Sequence, residues 1–334
     1  MKKFLIIGLG SMGKRRIRCL LALKIPKESI IGFDIREDRR LEAFSKYGIN
    51  VVDSLEKVDA NEVYAVIVSL PPDKHFLGAK YAIDNDKPVF IEASVLLEDA
   101  ERIRDYNIDK VFIAPSNTFT HHPILKKVIE VVKSKQLGEV TNFSYNRGDF
   151  LPEWHIYETV NDFYVSNRPT GGAREIIPFE MTWMTEAFGY PYAIKGYFRK
   201  TKSDIGCDIE DSYVATLDYG DSIGTLCINV SSRYVVQDLI INMTEGQIRW
   251  RWDENKLFLY DARTREWSYY VPDMSIHEDG YLDFINENMY IEEIDMFIKS
   301  VKGETHYNNT LDKDISVLKL LTELEDSDGG FNRN

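Results

Sequence analysis

The chain has 334 residues, 44% of them apolar, enough to bury a sizeable core in each of two domains. Its 54 acidic and 41 basic side chains give a formal net charge of -13, which argues against tracking along a phosphate backbone or docking on an anionic membrane surface. Cys19, Cys207 and Cys227 are far apart and form no CxxC pair, so neither a zinc cluster nor a disulfide framework is indicated, and a cytoplasmic location is expected.

The opening MKKFLIIGLG has an apolar run broken by Gly8 and Gly10 and followed by the basic KRRIR, so it reads as a strand and not as a signal peptide. No later stretch approaches the roughly 18 uncharged apolar residues that a membrane span needs. Residues 3 to 8 run into a glycine cluster, residues 14 to 23 carry helical spacing, and SIIGFDI (29 to 35) is a second short strand, which makes a βαβ unit. The alternation continues: a helix near 38 to 46, AVIVSL (65 to 70), a helix near 74 to 84, PVFIEA, a helix near 98 to 105, and KVFIAPS (110 to 116). Short strands alternating with helices predict an α/β class, with a Rossmann-type doubly wound parallel sheet over 1-118.

After one more helix, HPILKKVIEVVKSKQ, the rhythm changes. EVTNFSYNRGDF reads as a strand, and from about residue 192 strand follows strand: YAIKGYFRK, SYVATLDY, SIGTLCINVSS, DLIINM, QIRWRW, KLFLYD and EWSYYV. These predict a large, mostly antiparallel open sheet, closed by helices near 289 to 301 and 311 to 324, in an α/β domain over 119-325. A polar tail occupies 326-334. Aromatic residues are too many for one face of that sheet, among them Tyr197, Tyr213, Trp250 and Trp267. With helices on one side, the other side is expected to be apolar and to join copies of the chain, as a homodimer or homotetramer; a thick internal core is the alternative.

IIGLGSMGKRR places Gly8, Gly10 and Gly13 in a GxGxxG spacing between a strand and a helix, with Ser11 and Met12 inside the motif. The first glycine permits the tight turn, the second lets the backbone approach a pyrophosphate, and the third lets helix and strand pack closely. The helix N-terminus attracts the phosphate charge. Asp34 ends the second strand, where a carboxylate bonds ribose hydroxyls. It repels a 2′-phosphate and so favours NAD over NADP, although Arg36 and Arg39 or Arg40 are close enough in sequence to complicate that preference or to form a solvated helix face.

With this fingerprint, SLPPDKHFLGAKYAI, KPVFIEAS and TGGAREIIPFEMTWMTEAFG, the chain resembles the glucose-fructose oxidoreductase, inositol dehydrogenase and MocA family over nearly its whole length. The resemblance implies a Rossmann domain followed by an α/β domain whose open sheet serves oligomerisation. It also implies hydride exchange between a nicotinamide and a hydroxyl or carbonyl of a sugar, cyclitol or sugar derivative. By this similarity Ser69, Pro71 and Pro72 line the cofactor, His75 is the usual histidine of the next helix, and Glu92 matches the glutamate of a Glu-Lys-Pro triplet. The triplet's lysine is here Ala93 and its proline Ser94. In the helix after Gly171 and Gly172, the usual aspartate and histidine fall on Ile176 and Glu180. DFLPEWHIYE resembles a Trp-His loop of relatives associated with sialic-acid-like sugars, which makes Trp154 and His155 substrate candidates.

The chemistry then needs another proton carrier. Glu180 is the one acidic residue on the face formed by Ala173, Ile176, Ile177, Trp183, Met184 and Ala187, where desolvation raises a carboxyl pKa toward neutrality. It is either catalytic or a structural partner of Arg147 or Arg174, and Arg174 is also a candidate substrate ligand. His121 and His122 open the first helix of the second domain and are expected to assist, with capping or packing as their alternative. Tyr157, with His155, sits in a loop without periodicity, where substrate contacts are often found. No serine elbow, HExxH or P-loop appears, so no metal is expected and the cofactor carries the reaction. Two alternatives remain open: an NAD-retaining enzyme of elimination or hydrolysis on sugars, and a nonenzymatic NAD- and sugar-binding relative.

Overall fold

The computed structural model describes residues 2–154, 159–272 and 287–328. They group into two compact units, Met1–Thr118 with Glu287–Ser316, and Phe119–Asn286 with Val317–Asn334. Residues 287–316 therefore belong with the first unit, in contrast to the 119-325 span expected for the second domain. The pairings that hold it there are long-range and invisible in local patterning: the last-but-one helix sets glutamates against arginines of the first and packs Phe297 on Phe90 and Phe112.

The first unit follows the order β1 (Lys3–Ile7), α1 (Ser11–Ala22), β2 (Ile30–Phe33), α2 (Glu37–Tyr47), β3 (Asn50–Val52), β4 (Val63–Val68), α3 (His75–Asp84), β5 (Val89–Ile91), α4 (Leu97–Asn107) and β6 (Ile113–Pro115). Its six strands are parallel in the order β3-β2-β1-β4-β5-β6. Because a parallel sheet is covered on both faces, its strands read as unbroken apolar runs, and Leu5, Ile6, Ile7, Val66, Ile67 and Val68 are all buried. β3 was not anticipated, since three residues are too short to show a period. The strand order reverses between β1 and β4, which opens a crevice at the carboxyl ends of these strands.

The second unit contains α5 (Pro123–Lys133), β7 (Val140–Phe150), α6 (Ala173–Phe188), β8 (Ala193–Arg199), β9 (Ser212–Asp218), β10 (Ile223–Asn229), β11 (Ser231–Met243), β12 (Gly246–Arg251), β13 (Lys256–Asp261) and β14 (Glu266–Tyr270). Its eight-stranded sheet has the order β14-β13-β12-β11-β7-β10-β9-β8. The expected run of antiparallel neighbours is interrupted once, where β7 inserts between β11 and β10 and pairs parallel with β10. α7 (Glu287–Val301) and α8 (Leu311–Ser327) end the described chain.

Period-two alternation sorts this sheet's side chains. Phe143, Tyr145 and Asp149 of β7 are buried on one face, while Asn142, Ser144 and Asn146 face outward. The aromatics divide likewise: Tyr213 and Trp250 are buried, whereas Tyr197, Trp267 and Tyr269 are at least half exposed. The exposed face is thus mixed, apolar toward both edges and polar along β7, where an apolar face was expected.

Candidate functional site

Each unit holds a candidate region. In the first, Gly8 has a φ of +96°, and a Cβ there would lie 2.6 Å from the Ser69 carbonyl oxygen. A Cβ on Gly13 would lie 1.9 Å from the carbonyl oxygen of Gly8, so only glycine lets α1 pack this close to the turn. Gly10 differs: a Cβ there would meet only the Arg39 guanidinium, at 3.5 Å, and no backbone. The turn is thereby closed by protein at Gly8 and Gly13 and left accessible at Gly10, directly before Ser11 and Met12 in the first turn of α1. That geometry fits a dinucleotide pyrophosphate held by the helix N-terminus.

Asp34 stands beside this turn and is nearly buried. Its Oδ2 accepts from the Leu9 amide at 2.8 Å and its Oδ1 from the Arg36 amide at 2.9 Å, so the carboxylate is fixed in orientation and keeps a lone pair on each oxygen for ribose hydroxyls. Arg39 Nη1 is 3.8 Å from Oδ2, and Arg40 Nη1 donates to the carbonyls of Asp34 and Ile35. The Arg36 guanidinium turns away to the exposed Asp38.

The loop after β4 carries Ser69 and Pro71, and His75 fastens it: a ring nitrogen bonds the Leu70 carbonyl at 3.0 Å. Burial pushes the His75 imidazole down to about 4, against that hydrogen bond, so it is neutral at physiological pH. Glu92 is not open to a substrate. Arg16, fully buried, donates from Nε and Nη2 to its two carboxylate oxygens at 2.6 and 2.8 Å, and Ser69 Oγ donates to Oε1 at 3.2 Å.

In the second unit α6 lies along the buried face of β7. Phe188 stacks on Phe143 at 4.2 Å, Trp183 meets Tyr145 edge-on at 5.4 Å, and Glu180 pairs with Arg147. Thirteen helical steps from 188 back to 175 and six strand steps from 143 to 149 both cover about 20 Å, so this register keeps step to the end of the helix. It delivers Glu175 beside Asp149. Burial pushes the Glu175 carboxyl up to about 8; a Tyr164 hydrogen bond opposes this, Asp149 adds to it and Arg147 opposes it. Glu175 is also partly exposed. Asp149 is buried and raised by that burial, with Arg147 and the Trp154 Nε1 donor, 2.9 Å from Oδ1, acting against the shift.

This placement sets four residues expected at the site, Glu180, His121, His122 and Arg174, in buried or paired surroundings. Glu180 has no exposed surface: Arg147 donates to Oε1, Trp183 Nε1 donates to Oε2 at 2.6 Å, and Tyr145 adds a third hydrogen bond. Burial raises its pKa against these partners, but a carboxylate enclosed by three donors inside the helix–sheet layer presents no surface to solvent. His122 is buried against Trp250 and Phe119, and burial together with Arg147 pushes it down to about 4. His121 is buried as well. Arg174, expected at the substrate, forms a two-point pair with Glu325 of α8 at 2.7 and 3.1 Å.

Trp154 joins the cluster through Asp149, whereas His155 and Tyr157 lie outside the described residues. Glu175 and Asp149 were missed because each looks like an ordinary surface acid in isolation. The available signal was that Arg147 and Asp149 occupy inward positions of a strand whose other inward residues are aromatic.

The family model described as "Oxidoreductase family, NAD-binding Rossmann fold" matches residues 2–106. No curated protein matches the sequence. Among solved structures, a probable dehydrogenase from Thermotoga maritima is 20% identical with a TM-score of 0.76, covering 97% of this chain and 96% of its own. An oxidoreductase from Agrobacterium radiobacter, in complex with NAD+, L-tartaric acid and magnesium, is 12% identical with a TM-score of 0.84 and coverages of 98% and 96%. Levoglucosan dehydrogenase in complex with NADH and levoglucosan is 14% identical with a TM-score of 0.81 and coverages of 98% and 97%. At these identities the structures share the fold with this chain across both units. The family match rests on residues 2–106, where the glycine turn and Asp34 stand: this segment is similar to the NAD-binding Rossmann domain of the Gfo/Idh/MocA oxidoreductase family.

Proposed function

We propose that this protein is an NAD-dependent oxidoreductase that transfers a hydride between the nicotinamide and a carbinol or carbonyl carbon of a sugar, cyclitol or sugar derivative. The observation that carries the reading is the glycine turn, closed at Gly8 and Gly13 and accessible at Gly10, with Asp34 fixed beside it. The substrate class is supported by neighbours of the same fold, levoglucosan dehydrogenase and a putative myo-inositol dehydrogenase from Sinorhizobium meliloti. When bound, the nicotinamide supplies or accepts the hydride. The chain must supply the rest, and Ala93 offers no proton carrier on the strand edge. Glu175 takes that role: its partial exposure and raised pKa let it accept the hydroxyl proton in oxidation and return it in reduction. Asp149, held by Trp154 and Arg147, keeps Glu175 basic enough to do so. Arg147 and Glu180 form the ion pair under both.

Fluorescence titration tests the cofactor, and a panel of polyols monitored for NADH formation tests the reaction. NADH should bind at least about tenfold more tightly than NADPH, because a 2′-phosphate about 4 Å from the Asp34 carboxylate costs ~1–4 kcal/mol between bulk and near-surface screening. Arg39 offsets part of that cost. Saturable binding of neither dinucleotide would sink the reading; tighter NADPH binding would sink the role of Asp34.

The exposed sheet face is the surface we assign to self-association. Its mixture of Tyr197, Trp267 and Tyr269 with Asn142, Ser144 and Asn146 resembles the composition of protein interfaces, which are on the whole no more apolar than the remaining surface. Light scattering at micromolar concentration should report a dimer or tetramer, and introducing a charge by Trp267→Glu should shift it toward monomer. A wild-type monomer would remove the assignment.

A further inference from the structure

The first unit contains a line of buried charge that dinucleotide binding alone does not require. Glu293, on α7, is completely buried and gathers the segment after β6. Its Oε1 accepts from the Ser116 hydroxyl at 2.9 Å and the Asn117 amide at 2.7 Å, and its Oε2 accepts from the Thr118 hydroxyl at 2.8 Å. Arg16 Nη1 lies 2.8 Å from the same Oε2. The other edge of that guanidinium holds Glu92, after β5, and Glu92 holds the Ser69 hydroxyl, after β4. Phe90 and Tyr290 present their rings to Arg16 at 4.6 and 5.4 Å from its Cζ.

Three successive loop ends therefore depend on one cation and on a helix nearly two hundred residues further along the chain. All three lie on the β4-β5-β6 side of the crevice. In a sheet of this order each half takes one mononucleotide at its carboxyl ends, and Asp34 marks the β1-β2-β3 half as the adenosine side. We propose that the relay Glu293–Arg16–Glu92 positions the loop ends that receive the nicotinamide half, so that α7 sets affinity for that half while the Gly8–Asp34 region sets affinity for the adenosine half. The inference rests on the dinucleotide reading above. It makes Arg16, Glu92 and Glu293 positioning residues that work through Ser69 and the 116–118 segment. A neighbouring ion pair supplies the comparison: Glu287, also on α7, bonds Arg15 at 2.9 Å and Arg18 at 3.3 Å, and among the described residues it bonds none of the three loop ends.

The experiment measures dissociation constants for NADH and for ADP by calorimetry, with melting temperatures, for wild type, Glu293→Gln, Glu287→Gln and Ser116→Ala. Glu293→Gln should weaken NADH at least about tenfold, because a buried partner charge is lost, and ADP by less than about twofold. Glu287→Gln should lower the melting temperature and leave both affinities unchanged. Ser116→Ala, a smaller change, should weaken NADH a few-fold in the same direction with ADP unaffected. Equal losses of NADH and ADP in Glu293→Gln overturn the proposal, since that is the result of general loosening. Should Glu293→Gln not fold, Ser116→Ala decides, and wild-type NADH affinity in it overturns the proposal. A wild-type protein that binds neither NADH nor ADP overturns the dinucleotide reading and the relay together, and is told apart by the silence of every titration.

Discussion

Gly10→Ala should weaken NADH binding by about 100-fold while leaving the melting temperature within a degree or two of wild type. The two parts of this result come from different atoms. A Cβ at position 10 meets only the far end of the Arg39 side chain, at 3.5 Å, so the protein itself accommodates the methyl. A pyrophosphate lying against that backbone does not, and overpacking against a rigid ligand costs ~1–3 kcal/mol, whose upper end is about two orders of magnitude in affinity. Gly13→Ala should behave differently and lose stability as well as binding, because its Cβ would sit 1.9 Å from the Gly8 carbonyl oxygen and the β1–α1 turn must open. The pair of variants thus separates a glycine kept for the ligand from one kept for the fold. NADH binding at wild-type strength in Gly10→Ala would show that the accessible side of the turn does not receive the cofactor.

Glu175→Gln should lower turnover by about 10²- to 10³-fold, within the range general acid–base groups contribute, with NADH affinity unchanged. The pH profile is the sharper readout. Burial raises the carboxyl to about 8, so it is mainly the neutral acid at pH 7. Oxidation needs the carboxylate to accept a proton, so its rate should rise with pH through a midpoint near 8. Reduction needs the acid, so its rate should fall over the same interval. Both limbs should vanish in Glu175→Gln, whose amide has no proton to exchange. Stability carries its own sign. The folded state holds this proton more tightly than the unfolded chain, so the variant should gain relative to wild type as pH rises from the ordinary glutamate range through 8. An unchanged rate profile in Glu175→Gln would return the proton to another group and leave Glu175 a structural acid.

How far the sequence reaches is best judged at two residues of α6. Glu180 stood out because its helical face is otherwise apolar, and that observation correctly marks burial. Burial alone does not distinguish a catalytic carboxylate from a paired one. The distinction came from Arg147, 33 residues away on β7, whose guanidinium pairs with Glu180 while Trp183 and Tyr145 supply its other hydrogen bonds. Glu175, five residues earlier, drew no notice because its local context is that of any acid in the first turn of a helix. Its meaning depends on which strand passes beneath, and β7 reaches that place by inserting between β11 and β10.

By itself the sequence determined what is local: the glycine spacing that closes one turn, the apolar runs of parallel strands, the alternation along β7 to β14, and hence the fold class and the dinucleotide cradle. Each is written in a window of a few to some twenty residues, because backbone geometry has fixed periods and a glycine is needed wherever a Cβ would collide. The tertiary structure alone decided which charges face one another. With 54 acidic and 41 basic side chains the possible pairs are far too many for spacing to select among. Coulombic attraction acts between any of them, and only the packing of α7 on α1 and of α6 on β7 excludes water from particular pairs. That exclusion makes Arg16, Glu92 and Glu293 one buried line of charge, encloses Glu180 among its donors, and raises the Glu175 carboxyl.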